Sequence, residues 1–153
     1  MRLLGNILWF IFGGFIMGLT WLLISGICFI TVIGIPWGRA CFNIAIFSFA
    51  PFGSEAIDRS MLSEEKDIGS GALGLIGNII WLIFAGLPLA FAHLSLALAL
   101  FLTLIGIPFG IQHAKLIGIA LMPIGKTIVT KEVAVAARKA HVDKIIAKNQ
   151  AET

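Results

Sequence analysis

Charge is what this chain has least of. Only 12% of its 153 residues are Asp, Glu, Lys or Arg, about half the share in soluble domains. None occurs from Leu3 to Gly38, and none from Ile68 to Ala114. An apolar run of about 18 residues already suffices to span hydrocarbon. A soluble core is excluded, because too few charged side chains remain to coat its surface. Acids are missing from both apolar runs, and in the second His93 and His113 are the only ionisable side chains. No Ser-His-Asp order, zinc-protease helix or glycine-rich phosphate loop is present, so the expectation is a protein that is not an enzyme and holds no cofactor. The two cysteines, Cys28 and Cys41, sit in apolar sequence and read as small buried hydrophobes. A metal at Cys41 and His113 would lack a third ligand, so none is expected. The net charge of +3 comes mainly from the chain ends. Without a basic patch interleaved with aromatics, it points to anionic lipid and excludes nucleic acid as a partner.

What is present is a duplication. Leu4 to Ile57 lies over Ile76 to Val129 at a constant offset of 72, without a gap. Asn6 and Trp9 meet Asn78 and Trp81; Gly34, Pro36 and Gly38 meet Gly106, Pro108 and Gly110. Pro51 and Gly53 meet Pro123 and Gly125. Chance alignment in apolar sequence supplies Ile and Leu matches, not Asn, Trp, Pro and several Gly together. Met1-Arg2 and the run after it imitate a secretory signal, but a segment copied later in the chain is expected to be structure and not a cleaved address.

The patterns "GNILWFIFGG…GIPWG…PFGSEAI" and "GNIIWLIFAG…GIPFG…PIGKTIV" resemble the YccF-type inner membrane component family of bacteria. The resemblance covers about Leu4 to Ile146. It implies a small, multi-pass inner-membrane protein built from two copies of one short domain, with no assigned activity.

The expected fold is therefore an all-α integral membrane protein. Residues 4–57 and 76–129 are the repeats, 58–75 an acidic and Gly/Ser-rich linker, and 130–153 a basic tail. From Leu3 to Ile33 a single straight helix would be about 46 Å long, too long for a hydrocarbon core of about 30 Å. A helical hairpin per repeat fits better, its second segment broken at Gly-Ile-Pro. Its turn is expected near Pro88 to Ser95 in the second copy and between Gly18 and Gly26 in the first. Four spans result; the alternative is one long span per repeat followed by a re-entrant or interfacial helix. Pro36 and Pro108 remove an amide hydrogen and push the residue before them out of helical angles. Freed carbonyls must then face protein, water or headgroups. Such paired breaks mark the substrate site of many transporters; the simpler reading is a kink at the interface, with Trp37 and Phe109 as belt aromatics.

Downstream of the breaks the copies diverge: Arg39 and Asn43 correspond to Ile111 and Lys115, and Cys41 to His113. If the repeats pack about a pseudo-twofold axis, Arg39, Asn43, His113 and Lys115 are candidates to converge on an anion or headgroup. Asn6 and Asn78 are expected to cap helices, with an interhelical hydrogen bond as second reading. His93 is expected to be solvated at a turn. Gly13, Gly14, Gly18 and Gly86 allow close helix approach.

Glu55 to Asp67 reads as an acidic loop, with Gly69-Ser70-Gly71 as a flexible lead into the second copy. After Thr130 as N-cap, Val135, Val142 and Ile146 form one stripe of a basic amphipathic helix for a membrane surface or partner. The functional expectation is a structural or accessory membrane component acting through lipids, other membrane proteins or copies of itself. The alternative is an oligomeric channel or transporter using the breaks with Arg39 and Lys115. The positive-inside rule puts the basic tail, and with an even span count both termini, in the cytoplasm. Reporters fused after Thr153 and within Ser60–Asp67 should both report cytoplasm. Opposite sides would exclude an even number of spans between them.

Overall fold

The computed structural model describes residues 2–62 and 71–151. The first repeat begins with α1 (Arg2–Trp9). A π-helical turn, Phe10–Gly14, leads into α2 (Phe15–Ile30), and the backbone departs from helical angles at Gly13. After a short 3-10 turn comes α3 (Ile35–Phe49), packed against α2. Then follows a strand, β1 (Ser54–Asp58). The second repeat repeats the order: α4 (Ala72–Trp81), a π-turn at Leu82–Gly86, α5 (Leu87–Phe101), α6 (Ile107–Leu121) and β2 (Lys126–Thr130). A last helix, α7 (Lys131–Ala151), closes the chain.

The hairpins are real, but their turns are not where the sequence reading put them. Gly18 to Gly26 lies inside α2, and Pro88 to Ser95 inside α5. Pro88 comes just after the π-turn Leu82–Gly86, where Leu87 N reaches back to Leu82 O, and the helical stretch Ala72–Phe101 runs on through it. The break in the regular bonding pattern at the π-turn is what lets a proline sit there. The chain reverses instead at the Gly-Ile-Pro motif, and Pro36 and Pro108 open the return helices. Each reversal is stitched by a threonine. Thr31 Oγ1 donates to the Cys28 carbonyl at 3.0 Å and accepts from Gly34 N at 3.1 Å. Thr103 does the same with Leu100 and Gly106, at 3.3 and 3.0 Å. A Cβ on Gly34 or Gly106 would overlap the carbonyl of Cys28 or Leu100, so no other residue fits without moving backbone.

Among the described residues, three helical stretches are long and apolar enough to cross a membrane: Arg2–Ile30, Val32–Phe49 and Ala72–Phe101, with Ile107–Leu121 a shorter apolar one. Four full spans are thus not all matched by length. Large apolar side chains point outward, among them Phe12, Ile33, Phe84 and Ile105, each more than 75% exposed. A soluble monomer would not leave so much apolar surface uncovered. Inside, Trp9, Trp21, Trp81, Ile44, Phe47 and Leu116 from both repeats form one core.

Asn6 and Asn78 are not caps. Asn6 Nδ2 donates to the Phe52 carbonyl at 3.1 Å, while its Oδ1 accepts from Phe52 N at 2.8 Å. Asn78 holds Ile124 identically, with both bonds at 3.0 Å. One turn on, Trp9 and Trp81 donate from Nε1 to the carbonyls of Ser48 and Ala120, at 2.6 and 2.8 Å. Each Asn-Ile-x-Trp motif therefore fastens the start of its long helix to the end of its own return helix. Caps fail as an explanation because both Asn lie inside helices, where their side chains are free to reach backbone elsewhere.

The expected acidic loop begins as structure. Ser54–Asp58 pairs antiparallel with Lys126–Thr130, in the register Ser54↔Thr130, Ala56↔Ile128 and Asp58↔Lys126. Ala56 and Ile128 occupy the same repeat position, so a pseudo-twofold axis passes through this pair. Gly53 and Gly125, both with positive φ (96° and 86°), turn the chain into the strands. Symmetric bonds extend the ladder: Arg59 N to Gly125 O at 2.8 Å, Lys131 N to Gly53 O at 3.0 Å. Around it lie the ion pairs Lys126–Asp58 at 2.7 Å, Arg138–Glu55 at 2.8 Å, and Arg2–Glu132. The Arg2 guanidinium holds the Glu132 carboxyl down at about 2, so that pair stays ionised until pH falls toward that value. Arg2, both strands and the start of α7 thus share one polar cap. Of the expected linker, residues 63–70, with Glu64, Glu65, Asp67 and Gly69-Ser70, lie outside the described residues.

Thr130 Oγ1 accepts from Val133 N at 3.4 Å, as an N-cap does. The tail helix docks through Ala134 and Ala137 against Ile57, leaving the Val135, Val142 and Ile146 stripe exposed. Replacing Asn78 by Ala strands both backbone groups of Ile124, which should cost about 1–3 kcal/mol. A thermal-unfolding midpoint in detergent well below wild type is expected for Asn78→Ala; an unchanged midpoint would contradict the clamp.

Candidate functional site

The four polar residues expected to converge do not. Arg39 and Asn43, one turn apart on α3, line a cavity of about 580 Å³ together with Arg59, Ile33, Trp37 and Leu73. The cavity lies between the turn end of the first hairpin and the start of α4. Trp37, half-buried, donates from Nε1 to the Gly77 carbonyl at 3.1 Å and fixes that wall. Phe109, its counterpart, packs on Trp9 and edge-on to Phe52. Arg59 reaches the Lys126 carbonyl at 3.4 Å and so ties the cavity to the strand pair. The lining thus combines two guanidinium groups with apolar side chains.

Lys115 lies elsewhere. It is half-buried, donates to Gln112 Oε1 at 3.1 Å, and lines a smaller pocket beside Glu55, Lys126 and Arg138. The copies put their cations in different places because Arg39 aligns with Ile111, and Lys115 with Asn43.

His113 belongs to a third place, the molecular centre. It is 3% exposed and its Nδ1 lies 3.0 Å from Nδ1 of His93. His93, expected at a wet turn, is 1% exposed; with the turn moved to Thr103–Gly106, its position falls mid-helix on the buried face. Trp21 Nε1 meets His93 Nε2 at 3.4 Å. Trp21 and His93 are equivalent repeat positions, so the pseudo-twofold axis passes here as well as through Ala56 and Ile128. The Trp9 ring stands 4.8 Å from that of His113, and Trp21 stacks on Trp81. Cys41 is fully buried in the core, against which the half-buried Cys28 packs. Among the described residues no group of three His, Cys, Asp or Glu side chains is placed to hold a metal.

Sequence reasoning missed Arg59 as a neighbour of Arg39, and Thr31 and Thr103 as turn residues. The threonines carried a signal, since they recur at the repeat offset just before each Gly-Ile-Pro.

Comparison with known proteins agrees with the duplication. The family model described as "inner membrane component domain" matches twice, over residues 4–54 and 76–126. A protein of Escherichia coli (strain K12) called "Inner membrane protein YccF" is 39% identical over 142 residues, 92% of this chain and 96% of its own length. A protein of the same description from Shigella flexneri is similar to the same extent. No solved structure matches.

Proposed function

The chain belongs to the YccF inner membrane component family, and from that premise we propose that it is a non-catalytic accessory component that gathers anionic lipid. The observation that carries this reading is the cavity where Arg39, Asn43 and Arg59 face an apolar wall of Ile33, Ile35 and Leu73. An anionic phospholipid has the same two halves: a phosphate for guanidinium and amide donors, and acyl chains for the wall. An arginine facing hydrocarbon without such a partner would cost about 2.5–3.5 kcal/mol on insertion scales. Other polar groups add a broader basic surface. Lys131, Arg138, Lys139, Lys144 and Lys148 follow one another along α7, and its exposed Val135, Val142 and Ile146 stripe suits the membrane surface. The polar cap, with Arg2 and the tail, is assigned to the cytoplasmic side on this charge excess. Copies of this chain or other membrane proteins would then meet at a lipid-marked place.

Native mass spectrometry of the detergent-purified protein with phosphatidylglycerol and phosphatidylcholine tests the reading. Wild type should retain phosphatidylglycerol selectively, and Arg39→Gln should weaken that retention about fivefold, the equivalent of about 1 kcal/mol per charge. Equal retention of both lipids, or no effect of Arg39→Gln, would overturn it. Ion flux through proteoliposomes that disappears in Arg39→Gln would instead favour the oligomeric channel.

A further inference from the structure

The histidine pair has a direction. An indole N–H only donates, so in the 3.4 Å contact with Trp21 it is Nε2 of His93 that accepts. No carboxylate lies in the apolar runs to compensate a buried imidazolium, and an uncompensated buried charge is expensive. Both rings are therefore taken as neutral. His93 then carries its hydrogen on Nδ1 and donates it across 3.0 Å to Nδ1 of His113. That leaves the hydrogen of His113 on Nε2, for which no protein acceptor exists among the described residues. Ser48 Oγ is the one fully sealed side-chain polar atom without a partner among them. His113 Nε2 is thus not sealed, and His113 lines a cavity of about 330 Å³.

The walls of this cavity are Leu8, Trp9, Phe12, Ile105 and Phe109, with no cation or acid among the lining residues. At its rim Phe12 and Ile105 are 78% and 82% exposed, on surface that hydrocarbon would cover. Its volume falls at the lower end of small-molecule sites. The hydroxyl of Thr103 at its edge is committed to the turn, so His113 offers the free donor. Both histidines are departures of the second copy from the first, which has Trp21 and Cys41 at those positions.

We infer that this cavity binds an uncharged, lipid-soluble molecule bearing a carbonyl oxygen, which accepts from His113 Nε2 while its apolar body lies between Trp9, Phe12 and Phe109. Trp21 and His93 act behind His113, fixing the tautomer that puts the donor in the cavity. The chemistry differs from that of the Arg39 cavity, where the donors are cationic and the ligand anionic. A quinone ring and a neutral glyceride ester both carry the required oxygen, and both would arrive from the bilayer.

The test uses the full chain in phosphatidylcholine nanodiscs, titrated with decyl-substituted benzoquinone while tryptophan fluorescence is followed. Saturable quenching is expected. His113→Leu should raise the half-saturation point at least tenfold, whereas His113→Gln, which keeps an N–H donor, should recover much of the loss. Leu8→Phe fills the cavity from the other wall, leaves the histidine pair intact, and should also weaken binding at least tenfold. Competition by dioleoylglycerol would identify the ester as ligand type; saturable quenching without competition would identify the quinone ring. Quenching that rises linearly without saturation, with no effect of dioleoylglycerol, would overturn the inference. So would a half-saturation point shared by wild type, His113→Leu and Leu8→Phe. Because these probes are uncharged, such a failure leaves the anionic-lipid reading standing.

Discussion

A peptide group withdrawn from water must find a partner inside the protein, and chain reversals are where it most easily fails to do so. Among the described residues this chain reverses at each hairpin turn and again at the end of each return helix, four places within mostly apolar sequence. Every one is closed by a side chain that repeats. Thr31 and Thr103 close the hairpin turns; Asn6 and Asn78 hold the backbone beyond the return helices from both sides. Trp9 and Trp81 add a third bond to the last helical turn. With these in place α3 and α6 can be short, since the apolar core does not have to hold their ends down. The strand pair follows from the same constraint. Once the clamps aim both exits toward one another, five residues from each pair edge to edge.

Duplication then gives the molecule its symmetry, and departures from it give the molecule its chemistry. Where the copies agree, the residues are structural: the asparagines, the turn threonines, the glycines at the crossings. Where they differ, polar groups appear on one side only. Arg39 faces a cavity while Ile111 does not need to; His113 reaches a second cavity while Cys41 stays sealed against Cys28. Trp21 and His93 meet on the axis itself and cannot be identical there, since two indoles would both donate and neither accept. An asymmetric pair satisfies the contact, and the asymmetry continues outward through His113.

Much of this was legible in the residues. The offset of the repeats, the membrane class, the family and the helical hairpins follow from the spacing of Asn, Trp, Gly and Pro and from the uncharged runs. The turn positions were not legible, because Pro88 looks like a breaker although the helix runs on through it from the π-turn. The strands were invisible for a different reason: Ser54–Asp58 has no alternating pattern of its own, and its partner lies in the other copy. His93 was misread as a consequence of the misplaced turn. Arg59 could not be joined to Arg39 by spacing, since the strand ladder is what brings the two together.

The central claim is that two copies of one unit meet on a pseudo-twofold axis that runs through Ala56 and Ile128. Placing cysteines at these two positions, Ala56→Cys and Ile128→Cys, with Cys28 and Cys41 replaced by alanine, tests it directly. A short bifunctional thiol reagent applied to the protein in membranes should link the two within one chain, giving a compact band that migrates ahead of the unlinked monomer. Linkage only between chains, or none while each single cysteine still reacts, would contradict the account.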